Sequence, residues 1–78
     1  MKQKLLSFLG EFWMSDVERI EDSYVTRNPA VEIFPSNNFF TQGLLVTLIE
    51  FADINGYMFF IDALGGSVRM RIWEDVTL

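Results

Sequence analysis

The side chains in this chain that could do acid–base chemistry are carboxylates. Eleven acids stand against six bases, which gives a net charge of −5. Histidine and cysteine are absent, and their absence removes the commonest general base, the thiolate nucleophile and the usual zinc ligands. Two carboxylates act as acid and base only where their surroundings separate their pKa values, and no apolar pocket is evident around these. We therefore expect no enzyme activity, no metal site and no cofactor.

The densest group of charges lies within residues 11–22, where the acids outnumber a single arginine, Arg19. These acids are Glu11, Asp16, Glu18, Glu21 and Asp22. On a helix, carboxylates three to five residues apart lie about 5–8 Å apart along the axis, so the run could imitate a nucleic-acid backbone. The pattern predicts a docking surface for a basic protein, and the alternative is a solvated helix face.

The composition predicts one small domain that spans residues 1–78. Half of the residues are hydrophobic and 15% are aromatic, which indicates either a dense core or a surface buried between copies, as in a homodimer. The negative charge disfavours direct binding to nucleic acid or to anionic membranes. The absence of cysteine fits a cytoplasmic setting, and no uncharged run has the composition of a membrane span.

Residues 39–54 have the pattern of a central helix, because roughly half of its circumference is apolar. This apolar arc holds Phe40, Leu44, Leu45, Leu48, Ile49, Phe51 and Ala52. We expect Ser36, Asn37 or Asn38 to cap its start and Gly56 to end it. An earlier run with apolar steps of three and four predicts one bent or broken helix over residues 3–24, although capping-box spacing at Ser15 leaves two helices as the alternative.

Residues 57–64 and 67–74 predict a β-hairpin around the Gly65-Gly66 turn. A two-residue loop sets the register, and one face then pairs Phe59 with Ile72, Ile61 with Met70 and Ala63 with Val68. The other face pairs Asp62 with Arg69, Phe60 with Arg71 and Met58 with Trp73. These three pairs predict an ion pair, a cation–π contact and a sulfur–aromatic contact.

The predicted fold is α+β, with an N-terminal helical segment followed by β-α-β-β and a small three-stranded mixed sheet on which the helices pack. If the strand at residues 30–34 is adjacent to the strand at 57–64 and the crossover is right-handed, the two strands should be parallel. The N-terminal segment either packs beside the central helix or covers the second face of the hairpin. Residues 75–78 should form a loose tail.

For function we expect a non-enzymatic, acidic protein-binding module. Its leading form is an inhibitor that masks the basic surface of a nucleic-acid-handling enzyme or complex, as an immunity protein or a virus-encoded anti-defence protein would. One alternative is a homo-oligomeric structural or regulatory module. A less favoured alternative is a single-stranded nucleic-acid binder that uses the hairpin face of Met58, Phe60, Arg69, Arg71 and Trp73.

Overall fold

A computed structural model describes residues 1–75, which form one layer of helices on one layer of sheet. The elements in order are α1 (Lys2–Leu9), α2 (Phe12–Ser15), β1 (Val17–Val25), β2 (Asn28–Pro35), a 3-10 turn (Ser36–Asn38), α3 (Gln42–Asn55), β3 (Met58–Leu64) and β4 (Ser67–Trp73). The α+β class is confirmed. Of the predicted tail, Asp75 is described and the remaining residues lie outside the described range.

The sheet has four antiparallel strands in the order β1-β2-β4-β3, so the predicted three-stranded mixed sheet is wrong. β2 and β3 do run in the same direction, because each is antiparallel to β4. They are not neighbours, however, since β4 lies between them. The prediction failed because the spacing of apolar residues identifies a strand but does not say which strand lies beside it.

The strand β1 replaces the second half of the predicted helix over residues 3–24. A bulge interrupts its register with β2 between Val17 and Arg19. A bulge inserts one extra residue into the strand, and Val17 and Ile20 therefore lie on the same buried side although they are three residues apart. The bulge thereby reproduces the spacing of a helical face. Tyr24, which would continue that face, is 69% exposed.

The hairpin and α3 follow the sequence predictions closely. All six predicted cross-strand pairs are present in the register of β3 with β4. α3 begins three residues later than expected, because Thr41 is its cap and accepts a hydrogen bond from the backbone N–H of Leu44 at 3.2 Å. The predicted caps at 36–38 instead form the 3-10 turn. Gly56 ends the helix in the left-handed conformation, as predicted.

The core lies between the helices and one face of the sheet. Its fully buried members include Leu5 of α1, Leu48 and Phe51 of α3, and Ile33 and Met70 of the central strands. The ring of Phe8 contacts that of Phe51 with 5.5 Å between centroids, so α1 packs beside α3. Consequently, no helix within residues 1–75 covers the opposite face of the sheet, which is called the open face below.

Candidate protein-interaction surfaces

The predicted acidic surface does not lie on one helix. Glu11 precedes α2, Asp16 follows it, and the other three acids lie on β1. With a strand rise of about 3.3 Å per residue, Glu18 and Asp22 are about 13 Å apart, roughly twice their separation on a helix. The proposed imitation of a nucleic-acid backbone along a helix is therefore wrong in its geometry.

Two of these acids are engaged within the chain. The hydroxyl of Thr41 donates to a carboxylate oxygen of Asp16 at 3.5 Å. Glu21 forms an ion pair with Arg19 at 3.3 Å, and both side chains are about half exposed. Glu11, Glu18 and Asp22 remain as exposed carboxylates at separate places on the surface.

A cluster of arginines and carboxylates joins three strands across the open face. The guanidinium of Arg69 binds both carboxylate oxygens of Asp62, at 2.6 and 3.1 Å, and an oxygen of Glu32 at 2.9 Å. Arg71 lies 3.4 Å from the same Glu32 oxygen and donates to the backbone carbonyl of Tyr24. The predicted Asp62–Arg69 ion pair is confirmed, whereas sequence reasoning did not assign Glu32 to any site.

The hydrogen bonds between Asp62 and Arg69 favour the charged forms of these two side chains. The hydrogen bond from Arg69 lowers the pKa of Asp62 below its ordinary value, and the same bond raises the pKa of Arg69. Arg69 is 9% exposed, and its donors point at carboxylates, so it has little capacity left for a phosphate group. This arrangement counts against nucleic-acid binding through Arg69.

The residues of the alternative predicted surface do share the open face of the hairpin. The observed register places Met58 opposite Trp73 and Phe60 opposite Arg71. The cation–π contacts in the described part of the chain form elsewhere, with Arg19 over the ring of Phe34 at 3.9 Å and Lys4 over Tyr57 at 5.5 Å.

The most exposed apolar surface is the strand β3. Five of its seven residues are large hydrophobic residues that are each 42–54% exposed: Met58, Phe59, Phe60, Ile61 and Leu64. β3 is an edge strand, because only β4 pairs with it. The sequence showed that both faces of the hairpin are apolar, but it did not show that this strand lies at the edge.

A side-chain clamp holds the turn between β3 and β4. The amide of Asn38 donates to the carbonyl of Gly66 at 3.1 Å and accepts a bond from the backbone N–H of Val68 at 2.5 Å. Asn38 has a left-handed backbone conformation with φ 56°, which asparagine adopts more readily than most residues. The clamp fixes the hairpin tip to the segment that leads into α3.

Two open clefts of about 220 and 260 Å³ lie at the sheet surface. Each has one carboxylate in its lining, Glu18 in the first and Asp22 in the second. Neither cleft therefore brings two carboxylates together. Within residues 1–75 no cluster of potential metal ligands is found.

None of the helices in residues 1–75 is long and apolar enough to cross a membrane. Comparison of the chain with protein-family models, with curated proteins and with solved structures finds no match. Its function is therefore inferred from its own exposed surfaces and charges.

Proposed function

We propose that the protein is a non-enzymatic protein-binding module whose docking surface is the exposed edge strand β3. The observation that carries this proposal is the row of five exposed hydrophobic residues on a strand with only one paired side. Soluble proteins normally protect sheet edges with charges, proline or bulges. An unprotected apolar edge is typical of a surface that another polypeptide covers.

The hydrogen-bonding pattern of the hairpin favours strand addition. Residues that flank a two-residue loop form a hydrogen-bonded pair, and such pairs then alternate along the ladder. Leu64, Asp62 and Phe60 thus direct their backbone groups to β4, whereas Phe59, Ile61 and Ala63 direct theirs outward. A partner strand could bond these outward groups while its side chains cover the apolar residues of β3.

Side-chain bonds tie the edge strand to the rest of the fold. Arg69 links β3 to β2 through Asp62 and Glu32, and Asn38 clamps the hairpin turn. A preformed strand loses little conformational entropy on binding, so more of the contact energy remains as affinity.

Affinity capture from the protein's native cells would test this proposal with two matched variants. Phe60→Thr removes an exposed ring from β3 and retains a residue suited to strands. Ile54→Thr removes an exposed aliphatic group from α3 instead. We expect the wild type and Ile54→Thr to retain a bound protein that Phe60→Thr loses. Equal capture by all three proteins would refute β3 as the docking surface.

A second candidate is the inhibitor of a basic, nucleic-acid-handling enzyme or complex, acting in the cytoplasm. The net charge of −5 and the exposed carboxylates of Glu11, Glu18 and Asp22 favour it. Attraction of this kind chiefly raises the association rate and weakens as salt shortens the Debye length from about 10 Å at 0.1 M to about 3 Å at 1 M. Replacing Glu18 and Asp22 with lysine should slow association with the captured protein at low salt. An unchanged rate would remove this candidate.

A further inference from the structure

The two edges of the sheet differ in how they are protected. β1 carries four charged residues among nine and has a bulge near its start. β3 has a regular register with β4 and a single charged residue, Asp62. That charge is already paired with Arg69. Only β1 therefore has the features that prevent a sheet edge from pairing with another strand.

We infer that the strand that covers β3 is the β3 of a second copy of this chain, antiparallel to it about a two-fold axis at Ile61. This inference rests on the proposed function, because it names the partner of the same edge. The paired strands would join two four-stranded sheets into one continuous sheet of eight strands.

The backbone groups support this register. Phe59, Ile61 and Ala63 are the residues of β3 whose backbone groups point outward. With the axis at Ile61, each Ile61 faces the other, and each Phe59 faces Ala63 of the second copy. Every outward residue then has an outward residue opposite it, and these pairs exchange about six backbone hydrogen bonds. An axis at Phe60 would leave Ala63 of each copy without a partner in β3.

The side chains are also self-complementary in this register. On the helix side of the sheet, the large Phe59 lies opposite the small Ala63. On the open face, Met58 lies opposite Leu64, and Phe60 lies opposite Asp62. Because Asp62 opposes an aromatic ring and keeps its own Arg69, no two like charges face each other.

The exposed area of β3 lies at the lower limit for a specific dimer. A fully exposed aromatic side chain presents about 150–250 Å², and roughly half of each of five side chains is exposed on β3. Complete coverage of these side chains would bury at most about 450 Å² per copy and about 900 Å² in total, before the backbone is counted. Specific interfaces begin near about 1,000 Å², so we expect a reversible dimer in the micromolar range.

Sedimentation of the protein tests whether the partner is a second copy of the chain. We expect the mass to approach twice the 9.1 kDa of one chain as the concentration rises to high micromolar. Ile61→Pro should remain at the mass of one chain. Proline removes a backbone N–H that points away from β4, so the hairpin keeps its own ladder. Circular dichroism would verify that this variant is folded.

Single cysteines test the register, because the chain has no cysteine of its own. In the proposed pairing the two Ile61 Cα atoms lie about 5.5 Å apart, within the range of a disulfide. The two Leu64 residues lie about 20 Å apart along the strand. Mild oxidation should therefore link Ile61→Cys into a covalent dimer and leave Leu64→Cys unlinked. Leu64 is the more exposed of the two, so random collision would favour the opposite result.

The outcomes separate this inference from the proposed function. A wild type that stays at 9.1 kDa at high micromolar concentration overturns self-pairing, and so does equal cross-linking of the two cysteine variants. If such a monomer still captures another protein through Phe60, the docking surface stands with a different occupant. If it captures none, both proposals fall.

Discussion

Replacement of Leu48 by alanine is the sharpest test of how α3 lies on the sheet. Leu48 is completely buried in the centre of the core. Leucine-to-alanine changes in such positions cost about 2–5 kcal/mol, because the transfer energy of the lost atoms adds to that of the cavity. We take about 3 kcal/mol for this site. A domain of this size has a total stability of only about 5 kcal/mol, so the variant should be barely folded.

Urea denaturation at one fixed protein concentration would measure the effect. With an m-value near 1 kcal/mol/M for so small a chain, the midpoint should fall by about 3 M. Ile54→Ala is the matched control, since it removes a side chain of the same size from the same helix, where it is 70% exposed. Gln42→Ala, also exposed, should likewise change the midpoint little. Equal midpoints for Leu48→Ala and Ile54→Ala would mean that α3 is rotated differently on the sheet.

Three further predictions address β1, the hairpin turn and the charged cluster. Ile20→Ala should lower the free energy of unfolding by about 2–4 kcal/mol and Tyr24→Ala by less than about 1 kcal/mol, because only Ile20 is buried. Similar decreases in melting temperature for the two variants would favour a helix over residues 3–24 instead of the strand β1. Asn38→Ala removes both bonds that clamp the turn and should speed amide exchange in the hairpin, whereas unchanged exchange would show that the clamp is dispensable. The pKa of Asp62 is lowered in the folded protein. Its contribution to stability is therefore present above the ordinary Asp pKa of about 3.9 and is lost as the pH falls through the folded value. Asp62→Asn should lose less stability than the wild type on acidification, which unfolding measured across a series of acidic pH values would show.

The hairpin could be predicted from the sequence because several constraints agreed. Gly65-Gly66 fixed the loop length, and that length placed Asp62 opposite Arg69 on one face and Ile61 opposite Met70 on the other. A shift of one residue would have broken both faces at once. The central helix could also be predicted from the sequence, because an apolar arc half a circumference wide is typical of a helix that packs in the core.

The candidate sites were harder to predict from the sequence, because they depend on which strands are neighbours. Glu32 looks like an ordinary surface residue until β2 lies beside β4 and brings it to Arg69 and Arg71. The exposed residues of β3 look like core until β3 proves to be an edge. The acids of residues 11–22 formed one surface only under the assumption of a helix, whereas residues from Val17 onward form the strand β1.

The charges of β1 take on a role once β3 is paired with a second copy. The two β1 strands then form the outer edges of the eight-stranded sheet, where they could recruit further copies. Their exposed acids, Glu18 and Asp22 among them, would repel the same acids of another dimer, and the bulge disrupts the row of backbone groups. Because β3 pairs only with itself, the contact is isologous and closes at two chains. The acidic segment that the sequence suggested as a docking surface would thus limit growth of the assembly at the edge opposite the interface.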